Sequence, residues 1–256
     1  MAQHCVVTGG ASGMGRSAAR LASKRGYAVS ILSLEHERAS ADALVKDICD
    51  GGGEAKFIAA DVSREDQIIS AYEEANRTFG RPTAAVHAAG IFVGGTILDM
   101  DVKANARMLD INVMGLMICC REAGRLMSTE RGGSGGSIVN IASMAATIGG
   151  RPGACVYAAS KGAVDVFTKG FAKEVARQGI RVNTVRPGAV ESPMTAGLDA
   201  NPELKKSVED SIPIGRLGTC DEIAEIAVWL MSPAASLVTG AFVDASGGGF
   251  FVAGSV

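Results

Sequence analysis

The chain has 256 residues and a net charge of −2, from 25 Lys and Arg against 27 Asp and Glu. With no basic block, it carries no surface built to neutralise a nucleic-acid backbone. Its 33 glycines are about twice the usual share and follow no repeat, so they belong to turns, where binding groups concentrate.

Taken in chain order, apolar runs suited to buried strands occur at 4–8 (HCVVT), 27–33 (YAVSILS), 55–60 (AKFIAA), 84–89 (AAVHAA), 136–142 (GSIVNIA), 180–185 (IRVNTV) and 241–244 (AFVD). Helix-length segments separate most of them. From Ser12 to Arg25, for example, Met14, Ala18, Leu21 and Ala22 fall on one face at 3.6-residue spacing, with the basic residues largely off it. Strand followed by helix, repeated about six times, requires right-handed crossovers and a doubly wound parallel sheet of about seven strands with helices on both faces. No Pro-, Ser- or charge-rich linker divides the chain, so residues 1–256 are expected to form one α/β domain. Cys5, Cys49, Cys119, Cys120, Cys155 and Cys220 lack CxxC or His-companion spacing and read as buried free thiols, with no metal site. No run reaches about 18 apolar residues and no signal-like segment opens the chain, which predicts a cytoplasmic protein without membrane contact.

The first strand leads into TGGASGMG, residues 8–15. Glycines 9, 13 and 15 do not match a strict GxGxxG, and two readings stand: a phosphate seated on the helix N-terminus, or a tight turn that needs positive φ and holds no ligand. Further on, Tyr157 and Lys161 are four residues apart and so share a helix face. A phenol of pKa ~10 is scarcely ionised at neutral pH, but a cation within a few ångströms shifts a pKa by roughly 1–3 units, enough to make Tyr157 a usable acid or base. Ser143 follows the strand that ends at Ala142, at the end of an open sheet where ligands bind.

These stretches, with DV (61–62), HAAG (87–90), Asn112 in INVMG, YAASK (157–161) and PGAVESPM (187–194), resemble the short-chain dehydrogenase/reductase family over essentially the whole chain. The resemblance implies a Rossmann-type fold and hydride exchange between a nicotinamide cofactor and the carbonyl or secondary alcohol of a small or medium-sized substrate. It assigns proton transfer to Tyr157, a hydrogen bond to the reacting oxygen to Ser143, the nicotinamide ribose and the phenol to Lys161, and a relay water to Asn112. It assigns cofactor contacts to Gly9, Ser12, Gly13, Met14 and Gly15, to Ser33 and Leu34, to Asp61 and Val62, to Ala89 and Gly90, and to Pro187, Gly188, Val190 and Ser192. Asn112 could instead bend its helix, and Asp61 could cap the next one. The family usually shows asparagines where His87, Ala88 and Ala89 stand, and His87, in an apolar strand, reads as a core histidine.

In this family a carboxylate closing the second strand takes the 2′-hydroxyl of NAD and repels a 2′-phosphate. Ser33 stands there, so NADP is favoured over NAD, although Ser12 and Leu34 supply no positive charge and His36 or Arg38 would have to substitute. Substrate contacts are expected from Met144, Ala145, Thr147, Ile148, Cys155, Val156, Glu191, Met194 and a lid around 190–214. A 3-oxoacyl thioester reductase and a catalytically silent dinucleotide sensor or scaffold are the alternatives, with Arg131, Arg151 and Arg177 too scattered to form a carrier-protein patch. A homo-oligomer, dimer or tetramer, is implied through helices within 102–127 and 154–177 and through the apolar tail FFVAGSV.

Overall fold

The structure is a computed structural model that describes residues 3–249; the FFVAGSV tail lies outside them. Seven parallel strands form the central sheet: β1 (Gln3–Thr8), β2 (Tyr27–Ser33), β3 (Ala55–Ala59), β4 (Ala84–His87), β5 (Gly136–Ile141), β6 (Ile180–Pro187) and β9 (Phe242–Ala245), in the order β3-β2-β1-β4-β5-β6-β9. Two short strands, β7 (Val190–Glu191) and β8 (Gly218–Thr219), pair with each other outside it. All seven residues of β2 are buried, as a strand covered on both faces requires.

The helices are α1 (Gly13–Lys24), α2 (Arg38–Asp50), α3 (Glu65–Phe79), α4 (Val102–Leu109), α5 (Leu116–Met127), the short α6 (Ala145–Ile148), α7 (Cys155–Val175), α8 (Pro202–Asp210) and α9 (Cys220–Met231). Two cores result. On one face Ala18 and Ala22 of α1, Leu44 of α2 and Ala227 of α9 pack against Val7, Val29 and Val86. On the other, Tyr72 of α3, Cys120 of α5 and Val164 of α7 pack against Val6, Ala85 and Ile138. The chain runs outward through β2 and β3, then returns across β1 to β4. The C-terminal ends of β1 and β4 therefore diverge into a crevice where the winding reverses.

Two expectations need correction. The helix expected over 102–127 is broken by a π segment, Asp110–Gly115. Gly115 rests on the end of β3's connection, where a Cβ would stand 2.5 Å from the Val62 carbonyl oxygen, and the wider turn accommodates that approach. Only Cys5, Cys119 and Cys120 are buried thiols; Cys49 and Cys155 are exposed and Cys220 is half-buried, because they sit on the outer face of α2 and at the first turns of α7 and α9. Among the described residues no helix is long and apolar enough to cross a membrane.

His87 is a core residue, 1% exposed. Its Nε2 accepts from the Tyr72 hydroxyl at 2.9 Å and its Nδ1 donates to Asn140 Oδ1 at 2.9 Å, which assigns the Nδ1–H tautomer. Asn140 Nδ2 in turn donates to Thr168 Oγ1 at 2.9 Å. This network ties β4, β5, α3 and α7 together. Burial lowers the His87 pKa to about 4, against the opposing bond to Asn140. Because the unfolded chain takes up this proton near pH 6.5 and the folded one does not until about pH 4, stability is lost as the pH falls through that window. The loss attributable to His87 is on the order of 3 kcal/mol. Urea unfolding of the parent and of His87→Gln at pH 7 and pH 4.5 should show a steeper acid loss in the parent; equal slopes would contradict the assignment.

Candidate active site

The β1–α1 turn depends on its glycines. Gly9 and Gly13 have φ of +65° and +51°, and a Cβ on Gly15 would lie 2.2 Å from the Gly9 carbonyl oxygen. Ser12 caps α1 in position only, because its side chain makes no bond to the helix amides, and the first turn holds no acidic residue. The open amides and the positive end of the helix dipole fit a phosphate there.

A cleft of about 270 Å³ opens from this turn across the ends of β1, β2 and β4. Of the expected cofactor residues, Gly9, Ser12, Gly13, Met14, Gly15, Ser33, Leu34, Asp61, Val62, Ala89, Gly90 and Ser192 line it. Pro187 and Gly188 line a second, adjoining cavity. Val190 lines neither; it is 4% exposed in the core, and its backbone carbonyl accepts from Thr195 Oγ1 at 2.6 Å, so it braces the loop that carries Ser192. Asp61 does not cap α3. Its Oδ1 accepts from the Ser63 amide at 2.9 Å, ahead of the helix, and its Oδ2 accepts from Arg107 at 2.7 Å. Burial pushes that carboxyl up, but the bonds from Arg107 and Ser63 outweigh it and hold it below the usual range.

The second cavity, about 450 Å³, is mainly apolar and meets the first at Met194, which lines both. Ser143 and Tyr157 share its wall with Met144, Ala145 and Ile148, and the 190–214 segment contributes Met194, Thr195, Gly197, Leu198 and Val208. Thr147, Cys155, Val156 and Glu191 do not line it. Ser143 is set by the end of β5: its Oγ accepts from the Ala145 amide at 3.1 Å while the Met144 amide donates to the Pro187 carbonyl at 2.9 Å. Phe92 packs edge-on against Tyr157, with ring centroids 5.2 Å apart.

Lys161, 5% exposed, projects from the face of α7 that carries Tyr157, and its Nζ lies 5.8 Å from the phenol ring centroid. The ammonium donates to the Ile141 carbonyl at 2.9 Å. Burial lowers its pKa to about 8, and the charge of Asp165 opposes that shift. Burial raises the Tyr157 pKa, a hydrogen bond with Ser143 partly offsets the rise, and the protein alone keeps the phenol neutral.

Asn112 is fully buried in the π segment. Both hydrogens of its amide are spent, on the Ile91 carbonyl at 2.9 Å and on Ser160 Oγ at 3.2 Å, and its Oδ1 accepts from the Ile91 amide at 2.9 Å. Its side chain clamps the segment after β4. Gly90 passes between them, since a Cβ there would stand 3.2 Å from Asn112 Oδ1 and 3.5 Å from Lys161 Nζ.

Among the lining residues that sequence reasoning passed over are Glu37, Arg107, Ile111 and Phe92. Glu37 receives the hydroxyls of both Ser12, at 3.1 Å, and Ser33. The corner that lacks a carboxylate on β2 therefore obtains one from the following turn. Arg38, considered as a phosphate ligand, turns away to Glu35, with bonds of 2.6 and 2.9 Å, and stacks over Phe57.

A family model described as enoyl-(acyl carrier protein) reductase matches residues 9–249. The chain is 41% identical over 245 residues to the uncharacterized oxidoreductase YgfF of Escherichia coli K12, covering 95% of this chain and 98% of that one. It is 37% identical over 246 residues to a 3-oxoacyl-[acyl-carrier-protein] reductase of Bos taurus, covering 95% and 96%. Among solved structures it superposes on a blue fluorescent protein from a metagenomic library in complex with NADPH, with a TM-score of 0.89, 29% identity, and coverage of 96% and 97%.

Asp165 sits one turn beyond Lys161, and its negative charge favours the charged lysine. Asp165→Asn should therefore move the alkaline limb of the kcat/KM profile for the cofactor to lower pH. A limb left in place would show that Asp165 has no hold on the lysine.

Proposed function

We propose, from the premise that the chain belongs to the short-chain dehydrogenase/reductase family and is an oxidoreductase acting on alcohol and carbonyl groups, that it reduces an apolar ketone, or oxidises the matching secondary alcohol, with Tyr157 as the acid or base. The observation that carries this reading is the placement of Ser143 and Tyr157 on one wall of an apolar cavity that opens into the glycine-turn cleft.

The cofactor, when bound, supplies or takes up the hydride. Tyr157 Oη, kept protonated by burial, donates its proton to the substrate oxygen as that oxygen gains charge. Ser143 Oγ donates a hydrogen bond to the same oxygen and orients it. The Lys161 ammonium stabilises the phenolate that remains and would hold the ribose hydroxyls of a bound cofactor, while Asn112 clamps the Ile91 segment. Phe92, Ile148 and Met194, each about half exposed, present apolar surface that suits an apolar substrate body. The 190–214 segment, a short 3₁₀ turn followed by α8, acts as the lid: Pro193 Cδ lies 3.5 Å from where a Gly13 Cβ would stand, so the lid also reaches the cofactor turn.

A 3-oxoacyl thioester substrate is the second reading, favoured by Arg151 on the cavity wall, where a charged carrier could be met. A silent sensor is disfavoured because the serine, tyrosine and lysine are all retained in working proximity. Either dinucleotide fits the glycine turn. The expectation of NADP over NAD rests on Ser33, with His36 or Arg38 as substitute cations, and the Glu37 carboxylate stands beside Ser33.

An oligomer is supported by exposed apolar side chains on the helices expected to form it, with Val166 of α7 77% exposed and Met114 of the π segment 52% exposed. Light scattering at micromolar concentration should give a dimer or tetramer; a monomer would refute the interface.

Tyr157→Phe should bind the cofactor with nearly parental affinity and lose turnover by more than a hundredfold, a typical share for general acid–base catalysis. Turnover within tenfold of the parent would remove Tyr157 from the chemistry.

A further inference from the structure

We propose that Glu37 selects NAD(H) over NADP(H): its carboxylate accepts hydrogen bonds from the adenosine ribose diol and repels a 2′-phosphate. This rests on the reading above that the cleft takes a nicotinamide dinucleotide.

The position follows from the local chain. After β2 the backbone tightens into a 3₁₀ turn over Glu35–Glu37, closed by the Glu37 amide donating to the Leu34 carbonyl at 2.9 Å. Across residues 34–40 every side chain but that of Glu37 is exposed, and Glu37 turns into the cleft it lines. It bridges the two elements that meet there, accepting from Ser12 before α1 and from Ser33 at the end of β2. An ionised carboxylate only accepts. It matches a vicinal diol, which has two hydroxyls to donate, and not a phosphate, which carries about −1.5 to −2 charge and needs donors and cations.

The neighbouring cations do not reverse this balance. Arg38 is held by Glu35, Arg107 by Asp61, and Arg16 donates to the Ser40 carbonyl at 2.9 Å. The hydroxyls of Ser12 and Ser33, which could have served a phosphate, already point at Glu37. His36 lines the same cleft and is the group that could still favour a phosphate.

Calorimetric titration of the full-length protein with NADH and with NADPH measures the choice without reference to turnover. The parent should bind NADH at least tenfold more tightly. In Glu37→Gln and Glu37→Ser, each checked for a parental melting temperature, the ratio should fall below threefold, chiefly through tighter NADPH. Equal or tighter binding of NADPH by the parent, or a ratio that both variants leave unchanged, overturns the role of Glu37 while the dinucleotide reading stands. Failure of the parent to bind either dinucleotide overturns both.

Discussion

One buried ammonium group orders the reactive end of the sheet. Lys161 is almost sealed from water, and a charge there persists only if the surroundings return what hydration would have supplied. The Ile141 carbonyl at the end of β5 takes one of its hydrogens, and Asp165 lies one turn further along α7. Asp165 is itself held by Arg186, which also reaches Asp244 on β9. The stripe Tyr157, Lys161, Asp165 at successive i, i+4 positions thus couples the phenol to a chain of alternating charges across β6 and β9. Gly90 and Asn112 close the remaining side.

That arrangement sets what the tyrosine can do. Without a cofactor, burial dominates and the phenol stays protonated, the form that a reduction consumes. The buried phenol lies on the wall of the apolar cavity that Ser143 also lines.

The strands were legible in the sequence because parallel strands buried on both faces are near-continuous apolar runs, and β1, β2 and β5 are of that kind. Tyr157, Lys161 and Ser143 were legible because a helix spacing and a strand end determine where they project. What escaped depends on contacts between distant segments or on a local departure from regular helix. Glu37 reads as an ordinary surface acid until a 3₁₀ turn rotates it inward toward two serines from different elements. Asn112 owes its clamping geometry to a π segment that periodicity cannot distinguish from α-helix. Phe92 lies in a loop with no period at all. His87 was legible as a core histidine, but its partners Tyr72 and Asn140 come from elements that only the sheet order brings together.

The account turns on Ser143 and Tyr157 acting on one oxygen inside the apolar cavity. Its most direct test is a panel of ketones, from small aliphatic to bulky apolar and carrier-like thioesters, supplied with NADH and with NADPH and read at the nicotinamide absorbance for the parent and for Ser143→Ala. The account predicts cofactor-dependent reduction of an apolar ketone by the parent, reduced by a hundredfold or more in the variant with cofactor affinity unchanged. A parent that binds the dinucleotide yet turns over no carbonyl, or a variant with parental turnover, would contradict it.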